Sequence, residues 1–176
     1  AGVTYPTTDD PLQRLYAGSA ENPSDLGAAG DFINDLPESY NIGLLEHHDR
    51  QQGGPERNRL IHGFHTNKDS LIRALDAFSL PAGEHGGTDV RDALMATMAQ
   101  LEAQDAGTIP FVNDTDVRAV VFITDGHDTS SGTTQAELIE TARLLRVRLY
   151  PIGFGESPNS APLAEMAAES GGHYYR

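Results

Sequence analysis

The stretch from Val117 to Ile123, running directly into Thr124-Asp125-Gly126, constrains this 176-residue chain more than any other part of it. From Ala119 to Ile123 every residue is apolar. A strand with one wet face alternates apolar and polar residues, whereas an unbroken apolar run is the mark of a strand covered on both faces, as in the centre of a parallel sheet. Parallel neighbours cannot be joined by a tight turn. They need a crossover, usually a helix, so helical patterns should stand on either side of the run.

They do. Asn22-Pro23 reads as a helix start, followed at helical spacing by Leu26, Ala29, Phe32, Ile33 and Leu36, with Pro37 as the stop. Asn41–Leu45 and Arg59–Phe64 read as strands, separated by the polar loop around Gln51-Gln52-Gly53-Gly54-Pro55. Thr66 or Asn67 caps a helix with Leu71, Leu75 and Phe78 inside. Gly86-Gly87-Thr88 opens another, with Val90, Leu94, Met98 and Leu101 as its buried stripe. Thr134 and Glu137 form a capping box ahead of Leu138, Ile139, Ala142 and Leu145. Leu149–Phe154 is a further strand, although Pro151 within it cannot donate to a ladder. A short helix with Leu163, Met166 and Ala167 follows, and Gly171-Gly172 turns into a closing strand at His173–Tyr175. The alternation predicts an α/β fold, a central, mostly parallel six-stranded sheet flanked by helices on both faces, in a single domain over residues 1–176. The first strand, within residues 1–21, is weak whether placed at Val3–Tyr5 or at Leu12–Tyr16.

Composition removes several function classes. There is no cysteine, which excludes disulfides, thiolate catalysis and Cys-ligated metal, and fits cytosol, periplasm and exterior alike. The formal net charge is −14 and Lys68 is the only lysine, so nucleic acid is not the expected partner. The longest apolar run is far too short to cross a bilayer, and no transmembrane segment or signal peptide is legible. Nucleotide binding is not expected either. The nearest glycine-rich candidate, Gly153-Phe154-Gly155-Glu156-Ser157-Pro158, has proline where the third glycine belongs, and there is no Walker A loop. No Gly-x-Ser-x-Gly elbow is present.

In open α/β sheets, ligands bind beyond the carboxyl ends of the strands. Two loops stand out by that rule. Ile123-Thr124-Asp125-Gly126-His127-Asp128 puts a carboxylate directly after the central strand, and Gly86-Gly87-Thr88-Asp89 opens a helix. Thr88 reads equally well as an ordinary N-cap. With Asp125 it would offer the hydroxyl and carboxylate oxygens that Mg²⁺ takes, along with water. Thr88, Asp89, Asp125, His127 and Asp128 are therefore the candidate ligand-binding residues, with Asp128 and Thr129 also readable as groups that structure their loop. His47, His48, His62, His65, His85 and His127 allow a transition-metal site, but scattered loop histidines are the preferred reading, because His62 and His65 should point to opposite faces of their strand.

These same segments resemble a known family. Val120–Gly126 looks like the fourth-strand motif of von Willebrand factor A-type (VWA) domains, the integrin I-like family. Gly86–Leu94 resembles their threonine loop and the helix after it, and Val147–Gly155 their fifth strand. Leu163–Ala167 with Gly171–Tyr175, and Asp31–Pro37, are similar to further parts, so that the resemblance runs from about Asn22 to Arg176 in order. It implies a Rossmann-like fold with a metal-ion-dependent adhesion site at the top of the sheet. Such a site uses Asp-x-Ser-x-Ser after the first strand, then a threonine and the fourth-strand aspartate, here Thr88 and Asp125. An acidic side chain of the partner protein often completes the coordination of Mg²⁺ or Mn²⁺.

The chain departs from that pattern at the first motif, because no Asp-x-Ser-x-Ser occurs in it. In one register Tyr16 stands for the aspartate and Gly18 and Ala20 for the serines, with Ser19 the hydroxyl that could swing in. In another, Asp9 or Asp10 serves. The reading that follows is a protein-binding module and not an enzyme. Its expected setting is extracellular, at the cell surface or periplasmic, with the cytoplasm left open. Two alternatives stand beside it, a VWA component that works with an ATPase in metal insertion or complex assembly, and a metal-dependent hydrolase built on Asp125 and the histidine loops.

Overall fold

The computed structural model describes residues 26–47, 58–76, 89–107, 117–124, 126–153 and 159–176. In chain order these form α1 (Leu26–Asp35), β1 (Ile42–His47), β2 (Asn58–His65), α2 (Lys68–Asp76), α3 (Val90–Gly107), β3 (Arg118–Thr124), α4 (Gln135–Leu144), β4 (Val147–Gly153) and α5 (Ser160–Ser170). Helices and strands follow in the order that the apolar periodicity predicts. They group into two compact units.

In the unit that holds α1 and α2, Ile33, Leu71 and Leu75 form a small core, with Ala29, Ile42, Leu44 and Ile72 against it. Strands β1 and β2 pair as a two-stranded sheet. Asn67 is the N-cap of α2: its side-chain oxygen accepts the Ser70 N–H at 3.1 Å, which satisfies one of the donors a helix start leaves open. The first residue of that helix, Lys68, is 8% exposed. Its ammonium donates to the carbonyl of Asn34 at 2.8 Å and to that of Leu36, at the end of α1, where helix carbonyls lack partners and the dipole favours a cation.

The second unit holds α3, β3, α4, β4 and α5. Strands β3 and β4 are parallel, in the register Val120↔Leu149 and Phe122↔Pro151. One face of this pair carries Val120, Phe122, Val147 and Leu149 into a core with Val90, Leu94 and Met98 of α3, Leu138, Ile139 and Ala142 of α4, and Leu163 and Met166 of α5. The crossover α4 begins with the expected capping box: Thr134 and Glu137 each bond the other's backbone N–H.

Pro151 is accommodated for a reason the sequence does not display. The Leu149 N–H donates to Ser170 Oγ at 3.0 Å and so faces away from β3. Alternate residues of a strand donate to the same side, so the missing N–H of Pro151 also falls on that outer side and costs no bond to β3. The closing strand expected at His173–Tyr175 is reduced to a bridge at Tyr175. The chain reaches it through Gly171, whose left-handed φ of 77° ends α5, and Gly172, where a Cβ would overlap the Leu149 carbonyl.

Candidate functional site

The carboxyl end of β3 is closed by a short turn. The Gly126 N–H donates to Thr124 Oγ1 at 3.1 Å, and Gly126 adopts φ 77°. A Cβ there would lie 2.7 Å from the Asn159 carbonyl and 3.0 Å from Leu163 Cδ1, so only glycine lets the start of α5 approach this closely. Asp125 lies between the two bonded residues but outside those described, as do Thr88, Ser19, Asp9 and Asp10. Beyond the turn His127 is exposed.

Asp128 reaches across to the start of α3. Its Oδ2 accepts the Arg91 N–H at 2.9 Å and the Ser131 hydroxyl at 2.7 Å, and its Oδ1 accepts the Ser131 N–H at 3.1 Å. Arg91 Nε approaches Oδ2 at 3.1 Å as an ion pair that lacks hydrogen-bond alignment. The pair is shielded, with side chains 26% and 13% exposed. Partial burial alone would raise the Asp128 pKa. The donors from Arg91 and Ser131, together with the Arg91 charge, outweigh it and hold the carboxyl below the ordinary carboxylate range.

Asp89 is fully buried, and its carbonyl accepts the Ala93 N–H at 3.0 Å. That puts Asp89 at the N-cap of α3. The loop after β3 thus meets the first turn of α3 through Arg91 and Asp128. Arg91, Asp92 and Ser131 make this junction, and sequence reading missed them. Nothing in Thr129-Ser130-Ser131-Gly132 announces which hydroxyl meets which amide.

Between the loop after β3, the first turn of α3 and the starts of α4 and α5 lies a cleft of about 100 Å³, lined by Val90, Arg91, Gly126, Asp128, Gln135, Asn159, Pro162, Leu163 and Met166. Pockets that enclose a small-molecule substrate typically offer about 300–1,000 Å³.

The histidine reading changes in one respect. His62 and His65 do not point apart: their ring centroids are 6.3 Å from each other, edge to face. Strand parity fails at His65 because β2 ends there and the chain bends into Thr66. Both nitrogens of His62 and the Nδ1 of His65 already have partners. His62 meets Gly63 O through Nδ1 at 2.7 Å and Ser70 Oγ through Nε2 at 3.1 Å, and His65 Nδ1 accepts the Asn67 N–H at 2.8 Å. His48 and His85 lie outside the described residues. Among the described residues no group of three or more His, Asp or Glu could hold a metal ion. Asp128, the first described carboxylate after the turn in sequence, spends both oxygens on protein donors. The described residues therefore supply no cation cage.

No curated protein matches this sequence. Similar solved structures include the conserved hypothetical protein BatB from Bacteroides thetaiotaomicron, at 15% identity over 88% of this chain and 80% of that one, with a TM-score of 0.61. The SpRpn10 VWA domain is similar at 16% identity, over 94% and 72% of the two chains, with a TM-score of 0.51. The manganese-loaded TRAP protein of Plasmodium vivax is similar at 19% identity over 77% of this chain and 51% of that one, with a TM-score of 0.50. At such identities the likeness is one of fold, the α/β Rossmann-like arrangement described above. Residues 27–176 match the von Willebrand factor type A domain family, and this chain belongs to it.

Proposed function

We propose that this chain is a recognition module that holds a partner protein on the loops at the carboxyl end of β3, and that it makes or breaks no bond. VWA domains are in general protein-interaction modules. The observation that carries the reading for this chain is the cleft beside Gly126. At about 100 Å³ it is smaller than the pockets that typically enclose a small-molecule substrate, and Asp128 on its border is held in place by Arg91 and Ser131. A surface of that kind can seat a single partner side chain while the surrounding loops supply the rest of the contact. Asp125, His127 and Thr88 are the residues assigned to that contact, in an extracellular, surface or periplasmic setting, while Asp89, fully buried, takes no part in it. A hard cation bound by Thr88 and Asp125, and completed by a partner carboxylate, would strengthen the same contact.

The experiment is a comparative capture with immobilised wild type, Thr88→Ala and Asp125→Ala, each first shown to melt like the wild type. The expected result is a protein retained by the wild type and lost from both variants. Equal retention by all three would remove the loops from recognition. Repeating the wild-type capture in EDTA and in Mn²⁺ decides whether a cation takes part. A screen with phosphate and ester substrates in Mg²⁺, Mn²⁺ and Zn²⁺ is expected to show no turnover, and turnover lost in Asp125→Ala would favour the hydrolase reading.

A further inference from the structure

The junction between the loop after β3 and the start of α3 is built in both directions. From the β3 side, Ser131 Oγ accepts the N–H of Arg91 at 3.1 Å and that of Asp92 at 3.2 Å, while Asp128 Oδ2 shares the Arg91 N–H. These are first-turn donors of α3, which the helix itself cannot satisfy. From the α3 side, the Asp92 carboxylate accepts the Gly132 N–H at 3.0 Å through Oδ2 and the Thr133 N–H at 2.9 Å through Oδ1. Each segment therefore caps the backbone of the other, across 37–41 residues of sequence. An acidic residue in the first turn of a helix would ordinarily be read as a dipole partner only. Asp92 does more, because both of its oxygens are spent on the loop that follows β3.

We propose that Asp92, Asp128 and Ser131 are positioning residues that lock the loop after β3 to the start of α3, so that residues 126–133 and the first turn of α3 move as one body. The inference rests on the recognition reading for its purpose. Its geometry and its test need no partner. A locked pair presents a preformed surface, and binding then loses little freedom in ordering loops. It also means that displacement of either segment is transmitted to the other. The bonds that couple them are charge-assisted at the carboxylates, which makes them the stronger members of the junction.

The test is residue-resolved amide hydrogen exchange by NMR on the whole chain, in Asp92→Asn and in Asp128→Asn. The decisive readouts are crossed. In Asp92→Asn the Ser131 amide, which Asp128 and not Asp92 holds, should exchange about tenfold faster. In Asp128→Asn the Thr133 amide, which Asp92 holds, should do the same. The Leu149 amide, held by Ser170 away from the junction, should keep its wild-type rate in both. If each substitution speeds only the amides its own carboxylate accepts, the two segments open independently and the proposal is overturned. Should either variant also release Leu149, Ser131→Ala with the Thr133 amide as readout takes its place, under the same criterion. A failed partner capture with intact crossed exchange would count against the recognition reading alone, and the converse pair of results against the lock alone.

Discussion

Lys68 shows how much a single residue can decide. The only lysine of an acidic chain is buried, with its ammonium on the carbonyls that end α1. Glu38 also approaches it at 3.3 Å, but that carboxylate is 87% exposed, so water screens the pair. The helix-end carbonyls should therefore matter far more than the ion pair. Lys68→Met, which keeps the apolar stem, should lower stability by about 1.5–3 kcal/mol, whereas Glu38→Gln should change it by less than about 0.5 kcal/mol. Urea unfolding of the two variants checks the contrast. Asp128 gives a second test, through pH. Its folded pKa lies below the unfolded value. Its stabilisation is thus fully present above the unfolded pKa, near about 3.9, and is lost as pH falls through the folded one. The gap in stability between wild type and Asp128→Asn should be largest above about pH 5 and shrink below about pH 4. A gap that stays constant between pH 3 and 7 would mean that another group carries the effect.

At the scale of elements, what the sequence displays is periodicity and local capping, and what it hides is tertiary. The capping box of α4 was legible because both of its partners lie within one turn, at Thr134 and Glu137. The β3 run was legible because an apolar strand needs no partner to be recognised. The tolerance of Pro151 was not legible. It depends on which side of β4 the Leu149 N–H faces, and that is settled by Ser170 in α5. The closing strand failed for a related reason: β propensity at Tyr174-Tyr175 cannot reveal that the chain has only one bridging residue there. Gly126 joins elements in the same hidden way. It reads as part of a turn, yet its positive φ also places it against the start of α5. Gly126→Ala should cost roughly 1–3 kcal/mol, from the left-handed conformation and the clash with the Asn159 carbonyl together. Thermal unfolding measures it. A neutral substitution would show that α5 can retreat without loss.

For the whole molecule, the fold class and the family were legible because strand and helix alternate in order and several short motifs occur in sequence. The candidate site was legible as a pair of loops and not as a geometry. Asp125, His127 and Asp128 were named from their place after β3, whereas Arg91, Asp92 and Ser131, which join that loop to α3, have no signature beyond being polar. Asp128 was assigned to ligand binding and also weighed as a residue that structures its loop. Its Oδ2 holds the start of α3 at the Arg91 N–H, and its Oδ1 holds its own loop at the Ser131 N–H. Among the described residues no helix is long and apolar enough to cross a membrane. The proposed recognition surface is centred on the exposed residues that follow Gly126, His127 first among them.

That surface is tested most directly by site-specific photo-crosslinking in an extract of the source cells. A photoreactive amino acid is placed at exposed His127 in one version of the chain and at exposed Glu140 on α4 in another. The account predicts a discrete adduct with a partner protein from position 127, abolished by Asp125→Ala, and none from position 140. An adduct from position 140 alone, or one from position 127 that Asp125→Ala leaves unchanged, would contradict it.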